Sequence, residues 1–218
     1  MPLQNRVTPE GEIIRHSARG MFMGNRGILH DDHQRLGRAR WRTKSWVTCA
    51  LSFNGIKRQL MAPGRYTELF FLDEAVALCA GHRPCARCRR ADALQFRSLW
   101  TERVDPAVRG LKALDDSLHG QRVERYEHRQ VRHVADLDSL PDGAFIALQG
   151  RQEPMLVLGD MLLPYAISSY DPPEPRPSGM TVEVLTPRGT VGVLAAGYRP
   201  RLHSSAEGMT SEAVCTPG

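Results

Sequence analysis

The stretch Gly81-His82-Arg83-Pro84-Cys85-Ala86-Arg87-Cys88-Arg89-Arg90 constrains this chain more than any other part of it. A glycine and a proline stop whatever helix precedes them. Two thiols follow at a spacing that lets one tight turn aim both sulfurs at a single tetrahedral ion. Thiolates are soft ligands, and Zn2+ is the ion such a turn suits best. The arginines around the pair are expected to lower the thiol pKa values and to offer cationic contacts to phosphate.

The redox setting follows from the rest of the cysteines. There are five, Cys49, Cys79, Cys85, Cys88 and Cys215, and Met1 to Gly20 lacks the apolar stretch of a signal peptide. A cytoplasmic, reducing location is therefore expected, where an odd count speaks for metal or free thiols over a disulfide framework. No apolar run reaches the roughly 18 residues of a bilayer span, so no membrane partner is expected.

At 218 residues with 41% hydrophobic content, the chain can bury a real core as one compact domain or two small ones. Its net charge of +5 leans towards polyanions, though only modestly. Residues 1 to 20 read as irregular, and Gly20 to Leu29 suits strand and turn. Trp46 to Phe53 reads as a strand, Asn54-Gly55 as a hairpin turn, and Ile56 to Met61 as the antiparallel return. Tyr66 to Phe71 gives another strand. Asp73 is placed to cap a helix that Gly81 closes. Further helices are expected from Ala91 to about Arg103 and from Asp105-Pro106 onward. Ala144 to Gln149, Met155 to Leu158, Met161 to Ile167 and Thr181 to Leu185 read as short strands. A short helix from Thr186-Pro187 ends at Gly197.

The fold class is α+β: a strand-rich N-terminal part with a zinc turn, central helices and a small β-rich C-terminal unit. The expected organisation is a zinc-binding region over 1–104, a basic helical connector over 105–140, a β-rich unit over 141–204 and a fraying tail over 205–218. One internal echo links the two ends, since Leu78-Cys79-Ala80-Gly81-His82-Arg83-Pro84 matches Leu194-Ala195-Ala196-Gly197-Tyr198-Arg199-Pro200 in spacing.

From Phe70-Phe71 through Asp73-Glu74-Ala75 to Arg83-Pro84-Cys85-Ala86-Arg87-Cys88-Arg89, the chain resembles the zinc-binding domain of the Ada-type alkyl-phosphotriester DNA repair proteins. The likeness covers about 20 of the 218 residues and runs without a gap from Phe71 to Cys85. It implies zinc held by Cys85, Cys88 and upstream cysteines. In the family two upstream cysteines are separated by three residues; here Cys49 stands alone and Phe53 occupies the place of its partner. A fourth ligand must come from elsewhere. His30, with His33 beside it, is the nearest upstream candidate, and it reads equally well as a solvated loop histidine. His82, at an aromatic position of the family, is expected to pack, and Cys79 to be an inert buried thiol. A redox role for Cys85 and Cys88 is disfavoured because they follow a helix stop rather than open a helix. Two unliganded cysteines are the bland alternative.

Arg122, Arg125, Arg129 and Arg132 fall at helical spacing and would make a cationic stripe on one face. Such a stripe also reads as a solvated face balanced by Glu124 and Glu127. Joined to Arg87, Arg89, Arg90 and the basic run from Arg35 to Lys44, it makes a composite surface suited to a nucleic-acid partner, with Trp41, Trp46 and Tyr66 near enough in sequence to stack on bases. Asp31-Asp32 between His30 and His33 offers a second, hard-metal or acid–base cluster. No nucleophile-elbow, phosphate-loop or dinucleotide fingerprint is present. The readings are therefore a zinc protein that contacts nucleic acid, an alkyl-accepting or nuclease-type enzyme in which Cys49 is the nucleophile of the former, or a zinc-stapled scaffold for protein partners.

Overall fold

A computed structural model describes residues 1–55, 59–124 and 129–208. In chain order the strands and helices of the first part are β1 (Gln4–Val7), β2 (Ile13–Arg15), β3 (Phe22–Asn25), β4 (Val47–Ala50), β5 (Leu69–Phe71), α1 (Glu74–Cys79), β6 (Arg83–Pro84), α2 (Arg90–Leu99) and α3 (Gly110–Arg122). The second part adds β7 (His133–Asp136), β8 (Phe145–Ala147), β9 (Met155–Leu158), β10 (Met161–Ala166), β11 (Ser169–Tyr170), β12 (Glu174–Pro175), β13 (Thr181–Val184) and α4 (Arg188–Ala195). The fold is mixed α+β, with one sheet ordered β2-β1-β5-β3-β4-β6 and a second ordered β11-β10-β9-β8-β13-β7, where β12 also pairs with β10.

The two sheets share part of their interior, while Ile146, Met155, Val157, Leu162, Val182 and Val184 of the second form a further buried cluster of their own. Val7, Phe22, Leu69 and Phe71 of the first pack into one buried cluster with Phe145, Leu156 and Leu163 of the second and with Ala206 near the end of the described chain. A second cluster gathers Phe96, Trp100, Leu114 and Leu118 with Leu194 and Tyr198, so the central helices and α4 share a core.

Helix α1 is short and wholly buried, and its ends are specified by the sequence. The Asp73 carboxylate accepts from the Val76 amide at 3.0 Å as an N-cap. Gly81, at φ 82°, turns the chain so that the His82 amide donates to the Ala77 carbonyl at 2.9 Å. A side chain at Gly81 would also collide with Arg122, whose Cδ lies 2.5 Å from the place of a Cβ. The echo repeats this geometry: Gly197 has φ 107° and the Tyr198 amide donates to the Val193 carbonyl at 3.1 Å.

The start of α1 receives the C-terminal segment. Asp73 also accepts from the Tyr170 hydroxyl (2.8 Å) and the His203 amide (3.1 Å). Glu74, 1% exposed, accepts from Arg89 at 2.6 Å, the Tyr198 hydroxyl at 2.6 Å and the Arg201 amide at 3.1 Å. Two adjacent buried carboxylates thereby tie the Cys turn, the second sheet and the chain after α4 to one point.

Several expectations are corrected. Residues 4–7 and 13–15 form strands rather than irregular chain, because Val7 and Ile13 are core residues. Asn54-Gly55 does turn with both φ values positive, at 53° and 66°. Among the described residues no hairpin partner returns along β4; β3 pairs one edge of that strand and β6 the other. Residues 56–58 of that expected return lie outside the described residues. The third helix starts at Gly110, since Asp105 is used in a turn, accepting from the Ala107 amide at 2.9 Å. Within the segment read as a helical connector, 133–136 is strand β7 of the second sheet. Ser204–Ala206 forms a helical turn with Ala206 buried, so the chain stays packed past residue 204; 209–218 lie outside the described residues.

Replacing Glu74 by Ala leaves the Arg89 guanidinium buried without its main partner, and is expected to destabilise the protein by about 3–5 kcal/mol. Tyr198→Phe removes one hydrogen bond to the same carboxylate and is expected to cost about 1–2 kcal/mol. Urea unfolding of the two variants measures both, and equal, negligible losses would contradict the role given to Glu74.

Candidate metal centre

Strand β4 and the turn after β6 bring three thiols together. Parallel pairing sets Val47 against Arg83 and Thr48 against Pro84, and the Cys85 amide continues the ladder to the Thr48 carbonyl at 2.9 Å. That register carries Cys49 alongside the turn. The sulfurs of Cys49, Cys85 and Cys88 all lie within 4.8 Å of one another. A tetrahedral ion about 2.3 Å from each sulfur sets sulfur–sulfur separations near 3.8 Å, so this trio can hold one metal ion.

The chemistry of the donors fits a soft ion. The Cys85 thiol is drawn down to about 5, chiefly by the hydrogen bond from Cys49 and then by the Cys88 and Arg87 amides, against the opposing effect of burial. Cys49 is pushed far up, first by that same bond to Cys85 and then by burial. Burial also raises Cys88, opposed by the Ala50 amide. The metal-free trio is thus one thiolate hydrogen-bonded by two thiols. The expected effect of the arginines is corrected: backbone amides and a neighbouring thiol depress Cys85, because Arg83 and Arg89 face carboxylates instead. Arg83 makes a bidentate pair with Asp115 (2.7 and 2.8 Å), and Arg89 binds Glu74 and Asp92.

The structure does not bring His30 to the trio. It is buried, with Nδ1 2.7 Å from the Thr67 hydroxyl and Nε2 3.3 Å from the Ala62 carbonyl, so both ring nitrogens are occupied by loop packing. In the Asp31-Asp32 segment, Asp31 accepts from the His33 and Arg35 amides, each at 2.9 Å, and shapes its own loop, and no group of metal ligands forms there among the described residues. Cys79 is buried with its thiol donating to the Pro9 carbonyl at 3.2 Å, and burial raises its pKa. His82 packs against Phe71 and Trp46, and burial together with Arg26 keeps it neutral.

Among the six arginines expected to meet phosphate, the structure separates surface from core. Arg87, Arg90 and Arg129 are exposed. Arg89, 6% exposed, lies over the Phe22 ring and against Glu74, so it is a structural cation. Arg122, 2% exposed, sits 3.9 Å from the Trp46 ring and donates to the Gly81 and Lys44 carbonyls. The helical stripe is corrected with it. Helix α3 ends at Arg122, and Val123 and Gln130 form an antiparallel bridge, while the buried Arg122 guanidinium is held by the Trp46 ring and the two carbonyls. Arg132 pairs with Glu183, and Arg125 lies outside the described residues. Trp46, 1% exposed, is core and cannot stack on a base.

The trio opens onto a cavity of about 600 Å³ whose walls include Met23, Val47, Leu51, Phe53, Leu60 and Phe70. Sequence reasoning missed these residues, although a signal was there. Positions 23 and 25 of β3, 47 and 49 of β4 and 70 of β5 line the cavity at the two-residue period of strands, and Leu51, Phe53, Tyr66 and Glu68 extend the wall from the chain beside β4 and β5. Comparison of the chain with protein-family models, with curated proteins and with solved structures returned no match.

In the metal-free protein at pH 7, a small alkylating agent is expected to modify Cys85 first, with the rate falling only as pH drops through about 5. Peptide mass mapping over time checks this, and initial labelling at Cys49 would contradict it.

Proposed function

We propose that this chain is a cytoplasmic zinc protein in which Cys49, Cys85 and Cys88 hold one Zn2+, and that Arg87 and Arg90 beside that centre contact nucleic-acid phosphate. The observation that carries the reading is the convergence of three sulfurs from two separate elements within 4.8 Å. Three thiolates are a donor set that prefers zinc to hard cations. The local resemblance to the Ada-type zinc domain supports the same ion. Arg87 and Arg90 are exposed at the Cys turn, and the exposed Arg35, Arg38 and Arg42 add positive charge to the long loop before β4. No helix among the described residues is long and apolar enough to cross a membrane.

A second reading is favoured by one observation: all three cysteines line an open cavity rather than a sealed core. A reactive sulfur there can accept an alkyl group. Cys49 would attack the alkyl carbon of a phosphotriester, forming a carbon–sulfur bond while the carbon–oxygen bond breaks and the phosphodiester anion leaves. Zinc, when bound, keeps such a sulfur in its thiolate form at neutral pH. Incubation with methylated DNA followed by mass analysis tests this reading, and an unmodified Cys49 rejects it.

Protein purified after zinc supplementation is expected to carry about one zinc per chain and to lose it in Cys85→Ser. Binding must displace the protons that Cys49 and Cys88 retain, so about two protons should be released per ion and affinity should fall as pH falls. Metal content below about a tenth of an equivalent would reject the centre.

For the nucleic-acid contact, Arg87→Ala with Arg90→Ala is expected to weaken binding to DNA or RNA at low salt several-fold and to leave the zinc in place. Binding should also drop steeply with added salt and depend little on base sequence. Unchanged affinity in the double variant would remove these residues from the interface.

A further inference from the structure

We infer that the cavity beside the three cysteines is a binding site for a small apolar thiol, entering with its sulfur toward the cysteines and its hydrocarbon body against the cavity wall. This rests on the zinc reading above. Zinc takes four ligands, and among the described residues only Cys49, Cys85 and Cys88 form a cluster of metal-ligating groups. His30, the expected fourth, is held elsewhere by Thr67 and the Ala62 carbonyl. A position is therefore left for a ligand from outside, and the cavity leads to it.

The walls select the ligand. About 600 Å³ is the size of a small-molecule site. Met23, Val47, Leu51, Phe53 and Phe70 present hydrocarbon and aromatic surface, which favours an apolar body over water or a sugar. The carboxylate of Glu68 in the wall is buried and accepts from the Met61 amide at 2.7 Å, so it is already engaged by the protein. A soft donor matches an ion already held by three sulfurs. Zinc with three thiolates carries one net negative charge, and a fourth thiolate adds another; Arg87, a cationic residue of the cavity lining, offsets part of it. On binding, the thiol proton goes to solvent and the thiol sulfur takes the fourth position, with no oxidation or reduction.

The test uses the full chain loaded with Co2+ in place of zinc, free of added thiols, and titrated with benzyl mercaptan, 2-mercaptoethanol or benzyl alcohol. The expected result is a change in the visible cobalt bands with benzyl mercaptan, at about tenfold lower concentration than with 2-mercaptoethanol, and none with benzyl alcohol. Val47→Trp should fill the cavity, keep about one cobalt per chain and abolish the tighter binding. Leu51→Trp, at an exposed wall position, serves the same purpose should the strand variant fail to fold.

Failure to bind cobalt at all would overturn the metal reading. Bound cobalt with no response to benzyl mercaptan would overturn this inference alone. Equal response to both thiols, or an unchanged response in the Trp variants, would remove the cavity from it. If Cys215→Ser changes the cobalt spectrum before any thiol is added, the chain fills the position itself and the inference falls.

Discussion

The hydrogen bond between Arg89 and Glu74 holds together most of what makes this molecule distinctive. It joins the residue after Cys88 to the first residue of a buried helix, at 2.6 Å and almost without solvent. Two charges so deeply buried are stable only when the pair is close and its remaining valences are met. Asp92 meets part of the demand on Arg89, and Tyr198 and the Arg201 amide meet it on Glu74. The Phe22 ring lies 4.5 Å beneath the guanidinium carbon. The turn that presents Cys85 and Cys88 is therefore pinned at its far end, while the β4–β6 ladder pins its near end.

The same carboxylate explains why the C-terminal part of the chain belongs to the site's frame. Tyr198 stands at the helix stop that echoes the one before Cys85, and it reaches back to the α1 start. Asp73 repeats the logic one residue earlier, by accepting from Tyr170 of the second sheet and from the His203 amide. Ordering of the thiol turn thus depends on Tyr170, Tyr198, Arg201 and His203, far along the chain. A fragment that ended at residue 104 would lack them.

What was legible in the sequence was local and had a cap. Asp73, Gly81 and Pro84 mark the bounds of α1 and place the thiols after it, because those residues act through their own backbone conformation. Cys49, Cys85 and Cys88 were legible through a motif, and the strand register brings them together. What failed depended on tertiary partners. The arginine run 122–132 has helical spacing, yet Arg122 goes inside, 3.9 Å from the Trp46 ring and donating to the Gly81 and Lys44 carbonyls, partners that no local spacing reveals. His30 looked free to reach inward, and it does, but toward Thr67. The turn expected at Asn54-Gly55 forms, and among the described residues β4 takes β3 and β6 as its partners, which come from distant parts of the sequence.

The proposed centre is three cysteine sulfurs around a single zinc, with a solvent oxygen expected at the fourth position when no thiol is added. X-ray absorption at the zinc edge, on zinc-loaded full chain prepared without added thiols, counts those neighbours directly. The prediction is three sulfurs at about 2.3 Å with one nitrogen or oxygen at about 2.0–2.1 Å. A shell with no sulfur, or with fewer than three, would contradict the centre described here.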